Sequence, residues 1–385
     1  FPHRRAIVAA DAADAARRLR ESAPATHAAD APEAVFLCTG QGAQYAGMGR
    51  GLYASEPVFR AAYDAVCDLL AGAFEEDPRA LFLDADADDA LTATRLAQPA
   101  LFALEYALAA LWRSWGVQPQ ALVGHSVGEF VCAALAGVMS LADAVALVAL
   151  RGRAMQAQPA GGMLSVRLSA DAVAPYLADA AVELAAENAP ELCVVAGPHA
   201  ALDALEARLA ADGVATRRLV TSHAFHSAMM RPAVEAMRER LRSVALSPPR
   251  IAIVSTVTGA PLTDAQACDP EYWATHLRVP VRFAPAVAQA LADPRRVGIE
   301  LGPRATLATL AKQCLPRRGG AAAGIIAIPS LADAPDAEDA ALAAALGRWW
   351  CLGGAPDWRG YVAHESRRRV ALPGYPFARE RHWVE

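Results

Sequence analysis

The sequence predicts an α/β protein in which a large subdomain with a parallel sheet contains a smaller inserted subdomain, with linker segments at both ends. Short apolar strands alternate with apolar helices along most of the chain. Between residues 161 and 221 the pattern changes to a different order of strands and helices. A serine bounded by glycines follows one of the strands directly, which is a third sign of this class.

The first thirty residues combine a helical Ala/Arg pattern with Ala/Pro/Asp-rich sequence, which indicates an edge or linker element. The core begins with a predicted strand, Val35–Cys38, that leads into the glycine-rich loop Thr39–Gln44. Glycines permit positive φ and leave bare backbone near a ligand. This loop is therefore a candidate oxyanion cradle, and a plain loop or helix-capping role is the alternative.

A long helical pattern, Arg95–Trp115, precedes the strand Ala121–Val123 and the sequence Gly124–Gly128. A G-x-S-x-G pattern between a strand and a helix is typical of a nucleophile elbow. Small residues allow the sharp turn, and the helix N-terminus favours developing negative charge. We therefore predict an α/β-hydrolase-like large subdomain with Ser126 as its nucleophile. A chance match in an Ala/Gly-rich chain is the alternative.

The apolar stretch Phe130–Leu150 could suggest a membrane span, but Gly137 interrupts it and it contains an aspartate. We predict two buried helices instead. Ser140–Asp143 resembles a capping box that starts the second helix, and we expect that helix to run to Arg151.

The segment that follows predicts an inserted subdomain with the order β-α-β-β-α-β, which is the ferredoxin-like signature. After it, Ile251–Val254 and Val297–Glu300 are predicted strands of the larger unit. The predicted elements of the insertion are strand 162–168, helix 170–178, strand 181–187, strand 191–196, helix 199–211 and strand 214–220.

Composition excludes several classes of protein. The chain has 385 residues, of which 55% are hydrophobic, and its net charge of −5 without a dense basic cluster argues against nucleic-acid and anionic-membrane binding. The seven cysteines form no C-x-x-C pair, so neither disulfides nor a metal site is expected, and a cytoplasmic location fits. The chain starts at Phe1 without an initiator Met or signal pattern, so we expect a segment of a longer polypeptide.

Several motifs in a fixed order resemble the acyltransferase domain of modular polyketide synthases, within the malonyl-CoA:acyl carrier protein transacylase family. Phe1–Arg4 is similar to the end of the linker after a ketosynthase, and Leu372–Trp383 to the linker that follows the acyltransferase. The other matching stretches are Thr39–Gln44, Gly124–Glu129, Arg151–Arg153, His223–Ser227, Tyr272–Trp273 and Pro280–Phe283.

The resemblance divides the chain into five segments. It implies the end of a ketosynthase-to-acyltransferase linker at 1–33, the two parts of the large α/β subdomain at 34–160 and 222–330, and the ferredoxin-like subdomain at 161–221. A C-terminal helix and the post-acyltransferase linker are expected at 331–385.

The resemblance also implies a catalytic dyad. His226 would be the base for Ser126, because a serine hydroxyl needs a neighbouring base to become a good nucleophile. A structural or surface histidine is the alternative. Family members orient the imidazole through a backbone carbonyl, and His276 stands at the matching position, where relatives often carry Gln or Asn. The backbone N–H groups of Gln41 and Val127 would stabilise the oxyanion.

Arg151 indicates the substrate class. An arginine in a mostly apolar helix is costly to bury without a partner, and an acyl carboxylate would supply a bidentate one. The resemblance assigns Arg151 as this carboxylate clamp, so the substrate is expected to be a carboxyacyl thioester. A surface salt bridge is the alternative, and it is the better interpretation for Arg153.

The sequence His223-Ala-Phe225-His226 resembles that of malonyl-selective relatives, whereas methylmalonyl-selective ones usually carry Tyr-Ala-Ser-His. Phe225 would fill the space that a branching methyl needs, which is worth roughly 1–3 kcal/mol. Val127 agrees, since methylmalonyl-selective relatives often carry Gln there. His125, which we expect mainly to shape the elbow, and Gln44 complete the predicted substrate-binding set.

We therefore expect a ping-pong transfer of malonyl from malonyl-CoA to an acyl carrier protein, in a polypeptide with a neighbouring ketosynthase. No metal and no bound prosthetic group are expected, since the phosphopantetheine belongs to CoA and the carrier protein. The alternatives are a transferase for methylmalonyl or another extender, a serine hydrolase or editing thioesterase using the same dyad, and a non-catalytic scaffold domain.

Overall fold

The computed structural model describes residues 2–21, 26–27, 31–86, 88–178, 181–315, 326–366, 371, 373–374 and 377. Phe1 and most of Leu372–Trp383, which carry part of the linker resemblance, lie outside the described residues. The strands are β1 (His3–Arg4), β2 (Thr26–His27), β3 (Glu33–Cys38), β4 (Pro119–Gly124), β5 (Gly162–Val166), β6 (Glu183–Ala189), β7 (Leu192–Gly197), β8 (Thr216–Arg218), β9 (Ala252–Val254), β10 (Arg296–Glu300) and β11 (Ala327–Pro329).

Helices occupy most of the remaining described chain. None of the described helices is both long and apolar enough to cross a membrane. The helices are α1 (Ala12–Glu21), α2 (Arg50–Ser55), α3 (Pro57–Leu70), α4 (Pro78–Phe82), α5 (Asp88–Leu91), α6 (Thr94–Ser114), α7 (Gly128–Ala136), α8 (Leu141–Gln156), α9 (Ala170–Leu177), α10 (His199–Ala211), α11 (Arg231–Leu241), α12 (Asp264–Ala267), α13 (Pro270–Thr275), α14 (Phe283–Ala290), α15 (Thr306–Cys314), α16 (Glu338–Cys351) and α17 (Trp358–Tyr361).

The large subdomain is built on a five-stranded parallel sheet with the order β11-β10-β3-β4-β9. Cys38 at the end of β3 pairs with Gly124 at the end of β4. Because the carboxyl ends of parallel strands meet at one edge, the loops that follow these two strands lie side by side. The glycine loop and Ser126 are thereby brought together, as the α/β-hydrolase-like prediction requires.

Both faces of this sheet are buried, because its strands alternate between two cores. Phe36 and Leu122 belong to the main core, which α3, α6, α7 and α8 complete. Val35, Leu37 and Val123 belong to a second core, to which α14 and α15 contribute. The near-continuous apolar sequence of β3 and β4 follows from burial on both sides.

The inserted subdomain is an antiparallel sheet with the order β6-β7-β5-β8, and α9 and α10 cross between its strands. This topology confirms the ferredoxin-like prediction. The chain enters and leaves at adjacent points, where Gly161 N donates to Ser222 O at 3.1 Å. Strand β6 also bonds to the large subdomain, since Val281 N donates to Ala185 O at 2.9 Å and Glu187 N donates to Val281 O at 2.8 Å.

The apolar stretch 130–150 forms two helices, as predicted. Gly137, with φ of 73°, follows the end of α7, and Ser140 caps α8 by accepting from Asp143 N at 3.0 Å. The prediction that this helix ends at Arg151 is wrong, because α8 continues to Gln156. Just beyond Arg151, Gly152 lets α8 pack closely on α6, because a Cβ there would lie 2.9 Å from Thr94 O.

Candidate active site

The elbow between β4 and α7 holds Ser126 in a left-handed conformation, with φ of 52°. This conformation is uncommon for a residue with a side chain and marks a strained turn. The flanking glycines are required by space, since a Cβ on Gly124 would lie 2.2 Å from Glu129 N and one on Gly128 would lie 2.4 Å from Cys38 O. The predicted G-x-S-x-G pattern therefore has a steric cause at both glycines.

His226 lies against Ser126 although 100 positions separate them in the chain. Its Nε2 is 2.7 Å from Ser126 Oγ, and its Nδ1 is 2.8 Å from Val279 O. A carbonyl can only accept, so Nδ1 carries the proton and Nε2 is free to accept the serine proton. Burial and, secondly, the positive charge of Arg151 hold the pKa of His226 well below its usual range. The imidazole is therefore neutral at pH 7.

The expectation that the position of His276 supplies the orienting carbonyl is wrong, since Val279 supplies it. His276 follows α13, and the chain turns there so that the backbone three residues later reaches His226. The His276 ring is buried, with its centroid 5.5 Å from that of Phe130, and its Nε2 lies 3.4 Å from Glu129 Oε2. That separation is long for a hydrogen bond, and neither ring nitrogen of His276 has a hydrogen-bond partner among the described residues.

Arg151 projects from α8 to the nucleophile and is only 1% exposed. Its Nη2 donates to Ser126 Oγ at 3.0 Å and its Nη1 donates to Gln98 Oε1 at 2.6 Å. Its Nε has no hydrogen-bond partner, and no carboxylate pairs with it within the described residues. Burial lowers the pKa of the guanidinium. A buried cation without a counter-ion is costly, and an anionic group bound beside Ser126 would offset that cost.

Gln98 is a functional residue that sequence reasoning missed. It lies one turn after Thr94 on α6, and both side chains contact the side chain of Gln41. Gln98 Nε2 is 3.5 Å from Gln41 Oε1, and Gln41 Nε2 donates to Thr94 Oγ1 at 3.2 Å. Gln98 thus connects the glycine loop to Arg151. The signal available in the sequence was a glutamine in a mostly apolar helix, four positions after the polar residue Thr94.

The glycine loop packs directly on the elbow, since a Cβ on Gly40 would lie 2.9 Å from both Nδ1 and O of His125. The backbone N–H groups of Gln41 and Val127 donate to no other group among the described residues, so both are free for a ligand. Gln44 stabilises the loop itself: its Oε1 accepts from Gly42 N at 2.7 Å.

The remaining predicted residues surround this centre. His223 is fixed by Gln158 O at 3.0 Å from its Nε2, and its ring stacks on Phe225 with centroids 6.0 Å apart. Both residues are 7% exposed. His125 points to the inserted subdomain, where its Nε2 lies 2.9 Å from Asn188 Oδ1. That contact agrees with a shaping role for His125 at the elbow.

Comparison with known proteins decides the family. Residues 35–349 match the family described as acyl transferase domain. The chain belongs to this family. Within the described residues, no group of three or more His, Cys, Asp or Glu side chains is placed to hold a metal ion.

Relatives of this acyl transferase domain are polyketide synthases. It is 41% identical over 357 residues to one polypeptide of the phenolphthiocerol/phthiocerol polyketide synthase of Mycobacterium tuberculosis, covering 91% of this chain and 23% of that protein. It is 40% identical over 362 residues to polyketide synthase GfsA of Streptomyces halstedii, covering 91% of this chain and 5% of that protein. The acyl transferase domain thus spans under a quarter of the length of these relatives.

Solved structures of acyltransferase domains share the fold. The acyltransferase domain from the second module of the salinomycin polyketide synthase superposes with a TM-score of 0.85 at 39% identity, over 96% of this chain and 88% of that one. The acyl transferase domain of SpnD, in complex with 2-(pent-4-yn-1-yl)malonyl, gives 0.82 at 39% identity, over 90% and 83% of the two chains.

Proposed function

We propose that this acyl transferase domain moves a malonyl group from malonyl-CoA to the phosphopantetheine thiol of an acyl carrier protein through an acyl-Ser126 intermediate. The observation that carries the proposal is the buried guanidinium of Arg151, which lacks a carboxylate partner among the described residues and donates to the nucleophile at 3.0 Å. A malonyl carboxylate at that position would pair with Arg151 while the thioester carbon meets Ser126 Oγ.

In the first half-reaction, Ser126 Oγ adds to the thioester carbonyl and its proton passes to Nε2 of His226. The negative charge on the carbonyl oxygen would be bound by the N–H groups of Gln41 and Val127, each worth roughly 3 kcal/mol of the barrier. The carbon–sulfur bond then breaks, and the departing CoA sulfur takes the proton from His226. Malonyl-Ser126 and neutral imidazole remain.

The second half-reaction reverses these roles. The phosphopantetheine thiol gives its proton to His226 and adds to the ester carbonyl, which forms a second oxyanion in the same cradle. Collapse of that intermediate breaks the ester bond, and the Ser126 oxygen recovers its proton from His226. Each half-reaction moves one proton to Nε2 of His226 and away again. The Val279 carbonyl keeps Nδ1 protonated meanwhile, which is sufficient to hold the imidazole in one tautomer.

Extender choice rests on Phe225. Its ring is buried and braced by the stacked His223, so it has little freedom to move away from a branched acyl group. We expect malonyl to be preferred over methylmalonyl by roughly 1–3 kcal/mol. The SpnD domain is a relative in complex with a substituted malonyl group, which supports a carboxyacyl substrate for this chain.

The test is intact-protein mass spectrometry after brief incubation with equal malonyl-CoA and methylmalonyl-CoA, with Ser126→Ala as the control. We expect a persistent malonyl adduct that is absent in the variant and that a phosphopantetheinylated carrier protein discharges. Rapid CoA release without an adduct would instead indicate a hydrolase. An absence of both adduct and CoA release would indicate a scaffold domain.

A further inference from the structure

A buried carboxyl group that the proposed mechanism does not use lies where the glycine loop leaves β3. Glu105 on α6 is fully buried, and its Oε1 accepts hydrogen bonds from Thr39 N at 2.6 Å and from the Thr39 hydroxyl. Its Oε2 has no hydrogen-bond partner among the described residues. Glutamate is rarely fully buried unless it is paired, so its presence here calls for a specific role.

Thr39 links this carboxyl group to the candidate oxyanion donors. It is the first residue after β3 and stands two positions before Gln41. Its surroundings leave no spare room, since a Cβ on Gly302 would lie 2.2 Å from Thr39 Oγ1 and one on Gly40 would meet His125. Thr39 and Gly40 are therefore closely packed, and the Gln41 N–H follows them directly in the chain.

The same face of α6 also holds the other parts of the site. Thr94, Gln98 and Glu105 are spaced by four and seven residues, which places them on one side of the helix. The first two contact the Gln41 side chain, and Gln98 also bonds Arg151. One buried helix face thus contacts both the loop and the carboxylate clamp.

We propose that Glu105 is a positioning residue, which fixes the Thr39 peptide so that the Gln41 N–H points at the carbonyl oxygen of the acyl group on Ser126. This inference rests on the proposed acyl-Ser126 chemistry. A loop held in advance stabilises the oxyanion without reorganisation during the reaction. Glu105 would therefore affect the rate of acylation more than the binding of the thioester.

The nature of the carboxyl group indicates which substitution should be tolerated. Burial raises the pKa of Glu105 to about 8, so the side chain is mostly the neutral acid at pH 7. The side chain of Gln has nearly the same shape and keeps a carbonyl oxygen as acceptor for both Thr39 donors. Methionine keeps the approximate volume and removes the acceptor.

The experiment compares Glu105→Gln, Glu105→Met and the control Glu300→Met in the full chain. Glu300 is an equally buried carboxyl group, but it accepts from Leu307 N at 2.8 Å and Ala308 N at 2.9 Å at the start of α15. For each variant we measure the single-turnover rate of Ser126 acylation at saturating malonyl-CoA. Thermal melting and the Kd of malonyl-CoA in a Ser126→Ala background are measured alongside.

We expect Glu105→Met to slow acylation about 10- to 100-fold, less than the loss of an oxyanion donor outright, with Kd changed less than about twofold. Glu105→Gln should recover most of the rate. Glu300→Met should lower the melting temperature while its acylation rate stays within about twofold of the wild type.

Two results would overturn the inference while the wild type still acylates: an unchanged rate in Glu105→Met, whatever its Kd, or an equal loss of rate in Glu300→Met. If Glu105→Met does not fold, Thr39→Val is used as the test instead. This variant removes only the hydroxyl donor. A several-fold slower acylation at unchanged Kd supports the inference, and a full rate overturns it. A wild type that forms no adduct overturns the proposed function, and the inference with it.

Discussion

Arg151 combines two features in one side chain. It is a buried cation without a counter-ion among the described residues, yet it donates to the hydroxyl that must become nucleophilic. A positive charge beside Ser126 favours the alkoxide and disfavours a protonated His226. In the proposed mechanism the same guanidinium would bind the carboxylate of the acyl group and keep His226 unprotonated.

We expect Arg151→Ala to lower kcat/KM for malonyl-CoA by about 30-fold to several thousand-fold, because loss of one partner of a buried charged pair costs about 2–5 kcal/mol. Acetyl-CoA, which has no carboxylate, should lose much less. Arg153→Ala, two residues along and exposed, is the matched control and should change neither value. Equal losses for malonyl-CoA and acetyl-CoA would mean that Arg151 acts on Ser126 rather than on the carboxylate.

The protonation of His226 leads to a prediction about pH. Because its pKa is held well below the usual value, the imidazole stays neutral as the pH falls through 6.5, and acylation should persist into more acidic solution than an ordinary histidine allows. In Arg151→Met the cation is gone, so the pKa of His226 should rise. The acidic limb of Ser126 acetylation by acetyl-CoA should then move to higher pH, and a limb that stays in place would contradict the assignment.

The elbow shows how far sequence reasoning reaches at the level of elements. The strand, the turn and α7 follow from apolar runs and glycine spacing, because these signals are local. His226 was identified by resemblance, since nothing local relates it to Ser126. Val279 and Gln98 were not found: a backbone carbonyl has no sequence signature, and the partner of a polar residue in an apolar helix depends on which helix packs against it.

The steric demand at the elbow can be tested with alanine. Gly128→Ala places a Cβ 2.4 Å from Cys38 O, so either β3 or α7 must shift. We expect it to lower the free energy of unfolding by about 1–3 kcal/mol and to slow Ser126 acylation. Gly72→Ala is the control, because no atom lies within 4 Å of its Cβ. Urea denaturation and the acylation rate measure both effects, and a stable, fully active Gly128→Ala would refute the packing argument.

At the scale of the whole molecule, the inserted subdomain is not an independent attachment. One face of its sheet packs on α9 and α10 in a core of its own, which includes Leu164 and Val195. The other face shares a core with the large subdomain, where Ala186 and Val194 lie with Phe283 of α14. The segment that carries His226 leaves this subdomain directly, so the dyad depends on both units keeping one arrangement.

This shared core predicts that the two subdomains unfold together. All seven tryptophans lie outside residues 161–221, so their fluorescence reports on the rest of the chain, whereas far-UV circular dichroism reports on both subdomains. We expect the two urea transitions to coincide. Val194→Ala, which removes about 1.5 kcal/mol of apolar burial from the shared core, should move both midpoints equally. A dichroism change that precedes the fluorescence change, in the wild type or in Val194→Ala, would mean that the inserted subdomain unfolds on its own. The shared core would then contribute little to holding His226 against Ser126.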